Sequence, residues 1–146
     1  TVITQNIDGL QQAAGSRKVL ELHGNTRRIV CLACGLAHAM EAVYERLETQ
    51  LPPRCANCGG PLKPDVVFFG ESLPTGVLQS AANASQSCDL FLVVGSSLVV
   101  QPAASLPVAA RQHGARLVII NRDPTPLDGI AELVFHSRAS DVLGSL

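Results

Sequence analysis

The β-branched residues at positions 1–4 predict a strand, and Asn6-Ile7-Asp8-Gly9 predicts the turn that follows it. Residues 10–14 fit a short helix stopped by Gly15, and residues 19–22 form a short apolar stretch ending at His23-Gly24. Residues 28–30 read as an extended lead into a pair of cysteines. The clearest helical rhythm in the first half is Met40, Val43, Tyr44 and Leu47, spaced i, i+3, i+4, i+7, which assigns Tyr44 to packing. Pro52-Pro53 ends that segment, and Pro61 and Pro64 bracket the exit from the cysteine-rich stretch. Residues 66–71, Val-Val-Phe-Phe-Gly-Glu, predict an extended apolar run. Adjacent strand residues point to opposite faces, so one of Phe68 and Phe69 can face a core and the other a cleft. The plainer alternative puts both in the core.

From Pro74 onward the rhythm changes to alternating helix and strand. Residues 77–87 are Ala-rich and helical, and residues 89–94 are a continuous apolar strand expected to be buried on both faces. Residues 102–113 predict a helix with proline in its first turn and Gly114 as its stop. Residues 116–120 and 133–135 are further strands, and Ser140 or Asp141 is placed to cap a last helix. Apolar strands alternating with helices predict an α/β fold, a Rossmann-like doubly wound parallel sheet. The cysteine stretch interrupts that alternation. The expected organisation is therefore an α/β domain from residues 1–26 and 64–146, carrying a small inserted lobe at 27–63.

Cys31 and Cys34 form one Cys-x2-Cys pair, and Cys55 and Cys58 form a second. Two such turns supply four thiolates at tetrahedral corners, the arrangement that Zn²⁺ accepts most readily. Gly35 and Gly59 follow the second cysteine of each pair, where positive φ lets the chain turn away. Four thiolates leave no open position, so the metal is expected to be structural and the lobe a zinc ribbon. His38 is a possible rival ligand, with an ordinary surface histidine as the plainer reading. Cys88 precedes an apolar run and reads as a core thiol.

Of the 146 residues, 47% are hydrophobic and 16% charged, with a net charge of −1 and no Lys/Arg run. That composition predicts a packed globule and argues against a nucleic-acid or membrane-surface role. The longest apolar run is too short to span a bilayer. Paired cysteines suit a reducing, cytoplasmic setting. The chain opens Thr-Val-Ile without methionine, and the expectation is a piece of a longer protein.

In open parallel sheets, ligands bind beyond the C-terminal ends of the strands. Gln5-Asn6-Ile7-Asp8, Gly95-Ser96-Ser97 and Asn121 occupy those positions. Hydroxyls, amides and exposed backbone N–H groups there suit a nucleotide's phosphates and ribose. Each also has a bland reading as a turn or helix cap, and no Gly-x-Gly-x-x-Gly is present. His23 lies close in sequence to the first cluster and could be a general base, although a lone histidine is often structural.

Taken in order, several motifs resemble the sirtuin family. They are Thr4-Gln5-Asn6-Ile7-Asp8-Gly9-Leu10, Glu21-Leu22-His23-Gly24, the four cysteines, Lys63 to Glu71, Val94-Gly95-Ser96-Ser97-Leu98 and Ile119 to Asn121. The resemblance covers essentially the whole chain. It implies an NAD-dependent protein lysine deacylase, with NAD and a structural Zn²⁺ as cofactors and an acyl-lysine protein or peptide as partner. The acyl oxygen would attack the nicotinamide ribose, nicotinamide would leave, and an O-acyl-ADP-ribose and free lysine would result. In that scheme His23 is the base and Asn6 helps position water and ribose. Gln5, Asn6, Ile7, Asp8, His23, Gly95, Ser96, Ser97, Asn121 and Ser140 form the cofactor set. Val67 offers its carbonyl to the lysine N–H, Phe69 walls the acyl-lysine tunnel, and Phe68 turns to the core. Gly70, Glu71, Leu98 and Val99 hold the substrate peptide as an added strand.

The family's first strand and its Gly-Ala-Gly diphosphate loop have no counterpart in these residues. The sheet is therefore expected to be incomplete at its N-terminus, with an unpaired edge and uncovered apolar surface. By itself the chain is expected to bind NAD poorly, to be inactive and to be prone to association. Three competing readings remain at this point. They are a non-catalytic remnant that binds peptide and zinc, an NAD-dependent protein ADP-ribosyltransferase, and a bare zinc-ribbon interaction module.

Overall fold

The structure is a computed structural model that describes residues 1–144. The chain divides into two compact units, one ending at Leu78 and the other beginning at Gln79. In the first unit, β1 (Val2–Thr4) leads to α1 (Leu10–Ala13), and β2 (Val19–Glu21) returns parallel to β1. Gly15 closes α1 at φ 89°, the left-handed conformation that glycine adopts freely.

β3 (Gly24–Cys31) follows, then β4 (Ala37–Ala39), α2 (Met40–Leu47) and β5 (Leu62–Val66). β3 is the central strand of an antiparallel sheet in the order β4-β3-β5. Apolar runs alone did not reveal this sheet, because β3 is broken by Asn25, Thr26, Arg27 and Arg28. Between Asn25 and Ile29 the β3–β5 register jumps, from Asn25 opposite Asp65 to Ile29 opposite Pro64. The excess residues bulge out of the ladder. They serve the neighbouring loop: the Thr26 N–H and hydroxyl both donate to the Ile7 carbonyl, at 2.9 and 3.0 Å.

Two expectations for this unit change. The helix over residues 40–47 forms as read, but only Val43 is buried along it, while Tyr44 is 58% exposed and packs little. The extended run stops at Val66. Residues 68–71 form a turn closed by the Glu71 N–H on the Phe68 carbonyl, with Gly70 at φ 87°.

α3 (Thr75–Gln86) carries the chain into the second unit, where β6 (Leu90–Val94), α4 (Ser105–Gln112), β7 (Arg116–Ile120), β8 (Leu133–Phe135) and α5 (Ala139–Leu143) follow. β6, β7 and β8 form a parallel sheet in that order, which confirms the α/β class. Val93, Leu98, Leu117 and Ile119 form its core, flanked by Phe91, Leu127, Ala131 and Val134. Burying each such side chain stabilises the fold by about 1.5–3 kcal/mol. β6 is not covered on both faces as expected. Leu90, Leu92 and Val94 are exposed, and Leu92 and Val94 are in register with exposed Leu133 and Phe135 across β7. α5 begins after Arg138 with no side-chain cap; the Ser140 hydroxyl instead bonds Asp141. Among the described residues, no helix is long and apolar enough to cross a membrane.

Candidate functional site

In the first unit, β1 and β2 end side by side, Thr4 opposite Glu21, and the Leu22 N–H extends the ladder to the Thr4 carbonyl at 2.9 Å. Gln5 and His23 therefore leave the sheet together. Nδ1 of His23 lies 3.0 Å from the Gln5 carbonyl oxygen. A carbonyl can only accept, so Nδ1 carries the proton and Nε2 keeps a free lone pair. The imidazole is half-buried. Its orientation and tautomer are thus set by backbone, as a general base requires.

The chain on both sides of His23 is pinned. Gly24 has φ 76°, and a Cβ there would stand 1.9 Å from the Asp65 carbonyl oxygen. The Val67 N–H donates to the His23 carbonyl at 3.0 Å, which brings Val67 beside the histidine. Behind it, Glu21 accepts from Gln12 at 2.8 Å, from Arg28 at 2.9 Å and from Asn25. Arg28 also pairs with Asp65 at 2.9 Å. Burial pushes the Glu21 carboxyl up, but Asn25, Arg28 and Gln12 together hold it below its ordinary value of 4.5. Asn6 and Asp8 are exposed; the Asn6 N–H bonds the Thr4 hydroxyl, and Asp8 Oδ1 accepts from the Leu10 N–H. Both side chains retain capacity for a ligand's amide or hydroxyl groups.

The turn after β5 projects Phe69 fully into solvent. Phe68 does not turn to the core. It is 53% exposed, with the Lys63 ammonium 4.6 Å from its ring centroid. Lys63 also bonds both Glu71 oxygens, at 2.8 and 2.7 Å, and Glu71 Oε2 accepts the Phe68 N–H at 2.9 Å. The Lys63 ammonium and the Phe68 N–H hold the Glu71 carboxyl below its usual range. Lys63 has no site role in the sequence reading; its pairing partners lie too far along the chain for spacing to reveal.

The four cysteines converge. Their sulfurs all lie within 4.8 Å of one another, with Cys31–Cys58 at 3.5 Å and Cys34–Cys55 at 3.8 Å. Zinc–sulfur bonds of about 2.3 Å set sulfurs about 3.8 Å apart at tetrahedral corners, a spacing close to that of this cluster. The two turns are built alike. Gly35 N–H donates to Cys31 O and Gly59 N–H to Cys55 O, each at 2.9 Å. Cys31 N–H donates to Leu36 O at 3.0 Å and Cys55 N–H to Gly60 O at 2.9 Å. Gly35 and Gly59 adopt φ 72° and 73°, as their positions predict. Gly60 is required for a different reason: a Cβ would meet Ala33 Cβ at 2.6 Å and Cys31 Sγ at 3.1 Å.

The thiols are not equivalent. The Leu36 backbone N–H draws Cys34 below its ordinary value. The Gly60 N–H favours the Cys58 thiolate too, yet the Cys34 and Cys31 thiols beside it push Cys58 up to about 12. Thiols this crowded resist shared ionisation, and a divalent cation among them removes that resistance. Nε2 of His38 lies 3.3 Å from Cys55 Sγ, so His38 touches the cluster without belonging to it.

In the second unit, Gly95 ends β6 at φ 62° and donates its N–H to the Ile120 carbonyl at 2.9 Å. Ser97 and Val99 are exposed, and Ser96 Oγ accepts from the Leu98 N–H. Leu98 takes φ 56° and buries its side chain in the core, so it has no side chain to offer a ligand. Asn121 ends β7, bonded through its N–H to Phe135 and through Nδ2 to the Asp123 carbonyl. Ser140 is exposed on α5. A glycine turn with two hydroxyls and an amide at adjacent strand ends fits phosphate and ribose hydroxyls.

The sequence pattern of the Sir2 family matches residues 1–102. An NAD-dependent protein deacetylase of Thermodesulfovibrio yellowstonii is 49% identical over 143 residues, covering 97% of this chain and 56% of that protein. An NAD-dependent protein deacylase of Aquifex aeolicus is 46% identical over 144 residues, covering 95% of this chain and 57% of that protein. A solved Sir2 complex with a p53 peptide and NAD⁺ superposes with a TM-score of 0.91 at 44% identity, over 99% of this chain and 60% of that one. A Sir2 bound to a propionylated peptide gives 0.92 at 44% identity, over 99% and 61%. The chain thus spans a little under three fifths of the length of these two curated relatives.

Proposed function

Since this chain belongs to the Sir2 family, we propose that it contributes the catalytic base and the substrate-binding turn of an NAD-dependent protein lysine deacylase. The observation that carries this reading is the His23–Gln5 contact, which leaves Nε2 as a free base on a pinned imidazole. His23 Nε2 would take a proton from a ribose hydroxyl of bound NAD. Asn6 and Asp8 would hold the ribose and the carboxamide, with Gln5 and Ile7 beside them. Gly95, Ser96 and Ser97 would bind phosphate and ribose, and Asn121 and Ser140 the adenosine end. NAD would supply the ribose carbon that the acyl oxygen attacks as nicotinamide leaves, and the ribose hydroxyl that finally carries the acyl group. Val67 would orient the acyl-lysine through its carbonyl, and exposed Phe69 would close over the apolar part of the side chain. Gly70, Glu71, Leu98 and Val99 would pair with the peptide backbone.

We further propose that Cys31, Cys34, Cys55 and Cys58 hold one structural Zn²⁺, supported by the sulfur spacing. The five cysteines are all free thiols, which suits a reducing, cytoplasmic setting. The test uses protein expressed from the full reading frame that contains these residues, with NAD and an acetyl-lysine peptide, read by mass spectrometry. Loss of the acetyl group, abolished in His23→Ala, is the expected result. A gain of ADP-ribose on the peptide without deacylation, or full activity in a folded His23→Ala variant, refutes the reading.

A further inference from the structure

Four thiolates around one divalent cation carry two surplus negative charges, and hydrogen-bond donors around the sulfurs spread that charge. Two of the thiols have backbone donors: Cys34 receives the Leu36 N–H and Cys58 the Gly60 N–H. Both of these sulfurs belong to exposed residues that water also reaches. Cys55 is different. It is 3% exposed, and besides the Cys34 sulfur at 3.8 Å its sulfur meets the His38 imidazole, Nε2 at 3.3 Å.

The fold delivers that imidazole deliberately. After the first cysteine turn the chain reverses at Gly35 and β4 pairs back on β3, with His38 opposite Ile29. The flanking residues are Ala37 and Ala39, and α2 begins immediately after them. The backbone pairing of β4 on β3 thus places His38 on the strand that follows the first cysteine turn.

We infer that His38 is a positioning residue for the metal site, donating its Nε2–H to the Cys55 thiolate and thereby setting how tightly the cluster grips its metal. A thiolate can only accept from a ring N–H, so the neutral imidazole carries its proton on Nε2 in this arrangement. The donor lowers the electron density on that sulfur, which stabilises the ionised ligand and fixes the direction of its lone pairs. Outer donors of this kind are typically worth about 10–100-fold in metal affinity. This inference rests on the zinc reading above.

The experiment compares zinc-loaded wild type, His38→Phe and His38→Gln, with the Cys31→Ala/Cys55→Ala double variant as the metal-free reference. Phe keeps the ring without a donor, and Gln restores an N–H. Zinc release to a chromogenic chelator should be roughly 10–100-fold faster in His38→Phe, with His38→Gln between it and wild type. In the Co²⁺-substituted protein, the thiolate-to-cobalt charge-transfer band should move to lower energy in His38→Phe and partly return in His38→Gln. Circular dichroism of the metal-loaded variants should match wild type, since the lobe itself is intact. Release within threefold of wild type and an unmoved cobalt band in His38→Phe overturn the role of His38 while leaving the zinc site standing. Wild type that holds no more zinc than the double cysteine variant overturns both.

Discussion

Gly24→Ala isolates the contact that seats His23 on its neighbouring strand. Two costs follow from the structure. At φ 76°, an alanine is strained by about 1–2 kcal/mol, partly offset by about 0.4–1 kcal/mol from a less free unfolded chain. The second cost is steric. The new methyl would sit 1.9 Å from the Asp65 carbonyl oxygen, a backbone atom that can yield only by moving β5. That movement breaks the Gly24–Val66 pairing and the bond from Val67 N–H to the His23 carbonyl. Two or three backbone hydrogen bonds at about 1 kcal/mol each make the steric cost about 2–3 kcal/mol. Gly15→Ala is the matched control, because Gly15 has φ 89° and nothing within 4 Å of a built Cβ. Urea unfolding of the zinc-loaded protein, followed by circular dichroism, should place the Gly24→Ala midpoint roughly 1–2 M below that of Gly15→Ala. Equal midpoints would show that β5 yields without cost, and that His23 is not fixed by this contact.

Replacing His23 by alanine in the full protein should lower deacylation by roughly 10²–10⁴-fold with the unfolding midpoint little changed, measured by peptide mass spectrometry and urea titration. Chelation of the metal, or Cys55→Ala, should unfold the cysteine lobe, because structural zinc binding is worth about 10–16 kcal/mol in small peptides; proteolysis between Cys34 and Cys55 reports it. The Glu21 carboxyl is depressed in the folded protein, so its stabilisation is complete above the unfolded value of about 4.5 and drains away as pH falls through the lower folded value. Glu21→Gln should therefore be less stable than wild type at pH 7, with the gap closing on acidification in a series of unfolding titrations. Lys63→Met should free the turn at residues 68–71 and raise the KM for an acyl-lysine peptide more than it lowers kcat, because the ammonium lies on both Glu71 and the Phe68 ring.

What the sequence revealed depended on how far its signals act. The cysteine turns and their glycines are local devices, and both appear as their spacing implies. β7 and β8 are short apolar strands and were legible to the residue. β3 was not, because Asn25 to Arg28 interrupt its apolar pattern for the sake of contacts made elsewhere, at Ile7, Glu21 and Asp65. The same reason hid Phe68, whose place is set by Lys63 and Glu71 rather than by alternation. Tyr44 lies at a helical position that predicts packing, but the short α2 buries little more than Val43. The His23 imidazole could be nominated from its neighbours in sequence; its tautomer could not, because that follows from a carbonyl 18 positions away.

β3 takes the chain into the cysteine lobe and β5 brings it out, and the two are zipped together, Val30 to Lys63 and Cys31 to Leu62. The entrance and exit of the lobe are therefore neighbours about 5 Å apart. A segment whose ends already meet exerts no pull on what lies outside it when its length changes. The exposed stretch from Glu48 to Pro52, beyond α2, is the natural place to cut. A foreign domain spliced there would hang from the four-cysteine cluster and leave the His23 imidazole undisturbed. With a fluorescent protein as the passenger, this same strand pair becomes the mount for a sensor whose rigidity, and hence emission anisotropy, follows metal occupancy.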